Sequence, residues 1–237
     1  MSTYVLIHGA WHGAWCWEKV IPLLEAEGNK VHSIDLPAHG ADRTPIEQVN
    51  VKAYRDRVCS LLDEMDQPVI LVGHSMGGIV ISESAEQRPD KVKSLVYVSA
   101  FLLKNNESIN DLNHLEPEVI AKSFVTTDGV AFSVNDTGVK ELFYGNTKDD
   151  DLERAKSLLR PENFLEVSST KLNLTGRFGS ITRYYVENLM DKAIPIEFQR
   201  RMYSESPCKK VFTIDTDHSP FYSAPEELAS ILLSVQE

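Results

Sequence analysis

The sequence predicts an α/β fold: a mainly parallel sheet flanked by helices on both faces, with one inserted segment. Three observations carry this. Short β-favouring apolar runs alternate with amphipathic helical stretches from residue 4 to residue 99, and again from 180 to 235. One of those runs, Val69-Ile-Leu-Val72, passes straight into Gly-His-Ser75-Met-Gly77 and a helix-compatible stretch. Between residues 103 and 178 the alternation stops, although the composition stays too apolar for disorder. The chain therefore divides into a core, 1–102 and 179–237, and an insertion, 103–178, expected to form a cap or lid.

Taken in order, residues 4–8 are a short apolar run closed by Gly9, a buried strand. Residues 15–27 read as a helix with Trp17, Val20, Ile21, Leu23 and Leu24 near one face and Gly28 as its stop. Residues 30–34 form a second strand, and 51–66 an amphipathic helix with Tyr54, Val58, Leu61, Leu62 and Met65 at helical spacing. Residues 69–72 are a strand, 79–87 a helix ending before Pro89, and 94–99 another strand. Within the insertion, 116–123 predicts a short helix, 130–134 a small strand and 135–138 its turn. Asp149, Asp150 and Asp151 are expected to cap a helix over 152–159. The core resumes with a strand at 180–187, a helix at 195–202 opened by proline, a strand at 209–214 and a closing helix at 225–235.

Composition excludes several functions. The 237 residues are 42% hydrophobic and carry a formal net charge of −11, with no basic run, so nucleic acid and anionic membrane are disfavoured partners. No run is long and apolar enough to span a membrane, and residues 1–8 lack the features of a signal peptide. Cys16, Cys59 and Cys208 are odd in number and widely spaced, which fits neither a disulfide framework nor a metal site. A cytoplasmic location is expected. The oligomeric state is left open, a homodimer being one option.

A strand that runs into a serine between two glycines is the signature of a nucleophile elbow, whose tight turn pushes the hydroxyl out at the sheet's carboxyl edge. Serine is a poor nucleophile unless an imidazole takes its proton. Of the seven histidines (His8, His12, His32, His39, His74, His114 and His218), only His218 sits in a loop just beyond the last strand and before the last helix. The acid that orients this ring should lie between the two, and Asp191 follows a strand at the same edge. Asp215, Asp217 and Glu187 compete with it. Two backbone amides are needed for an oxyanion hole, and the expected donors are Met76 and, in the His-Gly-rich loop after the first strand, Ala10. His8 and His12 lie on a strand end and a loop with no third ligand evident, so they are read as buried structural residues and no metal is expected.

Together these residues resemble the α/β-hydrolase superfamily. Within it they are similar to the group holding plant methyl-ester esterases of the salicylate methylesterase type and hydroxynitrile lyases. The likeness covers nearly the whole chain. It rests on Val5-Leu-Ile-His-Gly-Ala10, His12-Gly-Ala-Trp15, Pro22-Leu-Leu-Glu-Ala-Glu-Gly28 and Val72-Gly-His-Ser-Met-Gly-Gly78. It continues in Asp151-Leu-Glu-Arg-Ala-Lys-Ser-Leu-Leu-Arg-Pro161, Arg177-Phe-Gly-Ser-Ile-Thr-Arg183 and Asp191-Lys-Ala-Ile-Pro-Ile-Glu-Phe-Gln-Arg200. The resemblance implies that Asp191 is the catalytic acid, since the group's aspartate heads such a segment. Lyases of the group carry threonine where this chain has Gly9, and lysine directly after the catalytic histidine, where this chain has Ser219.

The expected function is therefore a cofactor-free serine hydrolase cleaving carboxylic esters of small, partly apolar molecules, with Ser75, His218 and Asp191 as triad. Trp11, Phe124, Phe132, Phe143, Phe164 and Phe221 are the expected pocket walls. The alternatives are a hydrolase-like small-molecule receptor, or an amidase or lactonase. A hydroxynitrile lyase is disfavoured by Gly9 and Ser219.

Overall fold

The computed structural model describes residues 1–112, 115–126 and 129–235. Its elements run β1 (Thr3–Ile7), α1 (Ile21–Ala26), β2 (Lys30–Ile34), α2 (Val51–Asp63), β3 (Val69–Ser75), α3 (Gly77–Gln87) and β4 (Val92–Ala100). The next stretch holds α4 (Ile109–Leu112), α5 (Pro117–Ser123), β5 (Phe124–Thr126), β6 (Phe132–Val134), α6 (Asp136–Gly138), α7 (Asp149–Leu158) and α8 (Phe164–Ser169). The chain closes with β7 (Thr182–Asn188), α9 (Ile196–Glu205), β8 (Lys210–Ile214), α10 (Pro220–Ser223) and α11 (Pro225–Ser234).

Six strands form one sheet in the order β2-β1-β3-β4-β7-β8, every pair parallel. Covered on both faces, the central strands read as unbroken apolar runs: Val69, Ile70, Leu71 and Val72 are fully buried. The order matters for function. From β1 the chain moves outward to β2, then returns to place β3 on the other side of β1. Loops leaving β1 and β3 diverge there, and the crevice between them is where an open parallel sheet binds ligands.

Element boundaries depart from the sequence reading for local reasons. The helix expected over 15–27 is a 3₁₀ turn, Ala14–Trp17, followed by α1, which starts late enough to put Pro22 in its first turn. Asp149, Asp150 and Asp151 lie inside the first turn of α7, with Lys148 as N-cap, so they face the helix dipole rather than cap it. The strand expected over 130–134 is confined to β6, which pairs antiparallel with β5. Residues 135–138 form a helical turn, with the Asn135 side chain accepting a hydrogen bond from the Gly138 amide. Pieces that the sequence reading does not predict include α4, β5, a π-helical turn at Val139–Phe143, α8 and α10.

Candidate active site

Ser75 ends β3 with φ +53, a left-handed conformation that a non-glycine residue adopts only under strain. The turn works because Gly77 packs on β1: a Cβ there would stand 2.8 Å from the His8 carbonyl oxygen. Two other left-handed non-glycine residues touch the site: Trp11 (φ +64), which lines the Ser75 cavity, and Ser99 (φ +41), which bonds Asp191.

His218 follows β8 and is 1% exposed. Its Nδ1 lies 2.7 Å from Asp191 Oδ2, and its carbonyl accepts a hydrogen bond from His74 Nε2 at 2.8 Å. Asp191 follows β7 and is itself surrounded by donors. The Ala193 and Ile194 amides donate to Oδ1, both at 2.8 Å, while the Ser99 hydroxyl and Gln199 Nε2 (3.3 Å) donate to Oδ2. The ring of His74, the residue before the serine, stands 4.6 Å from that of His218, and Phe143, beside the serine, stands 5.5 Å from it. The imidazole thus packs against the residue before the serine, while the Ser75 hydroxyl has no hydrogen-bond partner among the described residues.

The structure separates Asp191 from its competitors. Asp217 turns away from the imidazole beside it: its carboxylate accepts from the Asn146 amide (2.7 Å), Thr147 Oγ1 (3.2 Å), the Ser219 amide (3.0 Å) and Ser223 Oγ (2.8 Å). Glu187 is occupied by Arg200, Tyr203 and Thr213. Asp215 is exposed.

Ala10 and Met76 line the same small cavity as Ser75, and among the described residues neither backbone amide has an acceptor. The loop that carries Ala10 is braced by histidines. His8 Nδ1 donates to the Gly9 carbonyl (2.8 Å), and His8 Nε2 accepts from the Leu36 amide (3.0 Å). That fixes the peptide plane whose N–H belongs to Ala10. His12 donates from Nδ1 to the Ala10 carbonyl and accepts from the Tyr144 hydroxyl, both at 2.7 Å. Burial lowers the pKa of His8 and His74 and brings that of His12 down to about 3, so all three stay neutral at physiological pH. Gly9 leaves no room for a side chain: a Cβ would sit 2.8 Å from the Ser75 Cβ.

The predicted aromatics divide. Trp11, Phe124, Phe143 and Phe164 line the Ser75 cavity, and the Trp11 ring is 5.2, 5.7 and 4.9 Å from the other three in that order. Phe132 lines a larger adjoining chamber, and its carbonyl accepts from Trp11 Nε1 at 2.7 Å. Phe221 lines neither. It is fully buried, edge-on to His74 at 4.9 Å, because Pro220–Ser223 forms a helical turn that directs the ring inward. His114 lies outside the described residues. Ser99, Leu115, Leu142 and Ile194 were missed. Only Ser99 left a signal, its place at the end of a strand on the active edge.

A buried contact between His39 and Glu162 ties the 103–178 segment to the core. His39 Nε2 lies 3.0 Å from Glu162 Oε2, His39 Nδ1 faces the Pro37 carbonyl at 3.0 Å, and the Tyr54 hydroxyl donates to Glu162 Oε1 at 2.7 Å. Burial pushes the His39 pKa down, but the Glu162 charge and the acceptors at both ring nitrogens outweigh it, and the net shift is upward. Among the described residues there is no group of three or more His, Cys, Asp or Glu side chains able to hold a metal, and no helix is long and apolar enough to cross a membrane.

The chain matches the model of the alpha/beta hydrolase family over residues 4–231. It is 34% identical to methylesterase 7 of Arabidopsis thaliana, covering 100% of this chain and 96% of that one. The alpha-hydroxynitrile lyase of the same plant is also 34% identical, with 98% and 96% covered. Putative methylesterase 11, chloroplastic, again from Arabidopsis thaliana, is 34% identical over 99% of this chain, which spans 64% of that relative's length. Among solved structures, polyneuridine aldehyde esterase superposes with a TM-score of 0.91 at 29% identity, with 100% of both chains covered.

Proposed function

The chain belongs to the alpha/beta hydrolase family and is a carboxylic ester hydrolase, and from there we propose how it works. Ser75 Oγ attacks the ester carbonyl while His218 Nε2 takes its proton. Asp191 holds the ring with the proton on Nδ1 and stabilises the imidazolium without being protonated itself. The Ala10 and Met76 amides receive the oxyanion. His218 returns the proton to the departing alcohol, then activates a water that cleaves the acyl-enzyme.

The observation that carries this reading is the meeting of three groups in one cavity: a strained serine and two backbone amides without acceptors. Buried amides are almost always paired, so an unpaired couple beside a nucleophile is suited to a charge that exists only during reaction. The segment 103–178 acts as the cap, supplying Phe124, Phe143 and Phe164 to the cavity. Its narrowness beside Ser75, about 30 Å³, favours a small alcohol such as methanol, in keeping with the relatives' names. A lyase reading is disfavoured because threonine at Gly9 would collide with Ser75, and Ser219 offers no cation. The three cysteines are unpaired, Cys16 and Cys59 being buried, which suits a reducing compartment.

The test is hydrolysis of a short p-nitrophenyl ester. Ser75→Ala should lose at least ~10⁴-fold in kcat with folding unchanged by circular dichroism. A variant that keeps a tenth of the activity would overturn the assignment.

A further inference from the structure

Ala10 stands where two regions of the molecule meet. Before it, residues 8 and 9 are held by the core: the Leu36 amide donates to His8 Nε2 (3.0 Å), and His8 Nδ1 donates to the Gly9 carbonyl (2.8 Å). After it, residues 11 and 12 are held by the 103–178 segment. The Arg160 amide donates to the Trp11 carbonyl (2.9 Å), Trp11 Nε1 donates to the Phe132 carbonyl (2.7 Å), and the Tyr144 hydroxyl meets His12 Nε2 (2.7 Å).

The direction of that last bond follows from its neighbours. The Ala10 carbonyl can only accept, so His12 Nδ1 carries the proton that meets it at 2.7 Å. Burial brings the His12 pKa down to about 3, so at neutral pH the ring holds that one proton. Nε2 is then a bare acceptor, and the phenol supplies the hydrogen. Both side chains are buried, so without the hydroxyl Nε2 would have no partner in water either. The ring would then gain by carrying its proton on Nε2, turning a lone pair towards the Ala10 carbonyl and releasing it. The Ala10 N–H lies in the peptide plane of the Gly9 carbonyl, and that plane hinges at Ala10 on the next one, which His12 holds.

Tyr144 reaches His12 from a short stretch that also serves the general base. It follows the π-helical turn Val139–Phe143 and leaves helical geometry (φ −130, ψ 36). The Phe143 ring is 5.5 Å from that of His218, and the Asn146 amide and Thr147 Oγ1 donate to Asp217, the residue before His218. One stretch of the inserted segment thus touches both the oxyanion loop and the loop of the base.

We propose that Tyr144 is a positioning residue for the oxyanion hole, its hydroxyl locking His12 in the tautomer that holds Ala10, so that the docked 103–178 segment completes the site. The proposal rests on the reading of Ser75 as nucleophile and Ala10 as oxyanion donor.

Tyr144→Phe keeps the ring and removes the bond. With p-nitrophenyl acetate, kcat and kcat/KM should fall together by about 10- to 100-fold, as for an unsatisfied buried acceptor and short of a missing oxyanion donor. Inhibition by 1,1,1-trifluorobutan-2-one should weaken in the same proportion. Its carbonyl carbon bonds to Ser75 Oγ, its oxygen becomes an anion in the hole, and His218 keeps the serine proton, so the inhibitor reads the hole directly. In a His12→Leu background the acceptor is gone, and Tyr144→Phe should cost nothing further. The unaltered enzyme gives an independent reading: nitrogen-15 spectra of histidine-labelled protein should show His12 neutral, with its proton on Nδ1. Tyr144→Phe activity within about twofold of wild type, unchanged inhibitor affinity, additive losses in the double variant, or a His12 proton on Nε2 would each overturn the role of Tyr144. All four leave the triad standing, whereas hydrolysis that survives Ser75→Ala removes the reading beneath it.

Discussion

The sheet edge and the segment above it are built by different means. At the edge, directional bonds set each group: Asp191 meets four donors besides the imidazole, and His218 is held both through its ring and through its backbone carbonyl. Over it, β5 and β6 are three residues each and α4 only four, lengths that do not persist alone in water. That segment is positioned by ring contacts around Trp11 and by many scattered polar ties, among them Arg160 N to the Trp11 carbonyl (2.9 Å), Lys19 to Asp151, Arg154 to Glu18, Asp217 to Asn146 and His39 to Glu162. Hydrogen bonds fix where atoms react, whereas apolar packing fixes only what shape enters.

That contrast is open to measurement. The largest effect should come from Asp191→Asn, which leaves the ring in the wrong tautomer and should cost ~10⁴-fold in kcat. Asp217→Asn, next to His218 but bonded to the 146–147 segment, should cost far less activity and lower the melting temperature instead. Equal kinetic losses in the two variants would erase the distinction. Gly9→Thr comes next. Its side chain must displace Ser75 or the Ala10 amide, so turnover should drop ~10²–10³-fold, as for a lost oxyanion donor. Activity within twofold of wild type would show that the loop yields.

The smallest kinetic effect, and a clear thermal one, is expected at the junction. Glu162→Gln leaves His39 buried without its counter-charge and should cost ~3–5 kcal/mol, or roughly 10 °C in melting temperature. The pH dependence has a definite sign. His39 has a higher pKa folded than unfolded, so the pair contributes fully below the unfolded value and its contribution fades as pH rises through the folded one. The stability gap between wild type and Glu162→Gln, followed by thermal melts, should therefore narrow towards alkaline pH. A constant gap would mean that His39 is neutral throughout.

The same division governs what could be read from sequence. Ser75 and the strand β3 were legible because an apolar run meeting a glycine-flanked serine has a local cause. So was the placing of His218 and Asp191 after later strands, which parallel topology brings to one edge. Asp217 could not be dismissed by residue type. It is set apart by the direction in which the backbone sends its carboxylate. Phe221 follows the histidine loop, which predicts a pocket wall, but α10, too short to leave a periodic pattern, turns it under His74. His39 and Glu162 meet only through tertiary packing, and neither sits in a motif. Position after a strand is written locally, but the partners of an insertion are not.

Of the five left-handed non-glycine residues among those described, three touch the site: Trp11 and Ser75 line the cavity, and Ser99 bonds Asp191. Such backbone costs of order 1–3 kcal/mol per residue, tolerated only because the surroundings enforce it. Reactivity and robustness therefore pull in opposite directions in this enzyme. Glycine takes a positive φ without penalty, so Ser75→Gly should yield a dead protein whose melting temperature is no lower than that of wild type, despite the lost side chain. A laboratory evolution campaign selecting for heat resistance alone would drift towards such relaxed variants. Only a simultaneous demand for turnover would keep the edge tense.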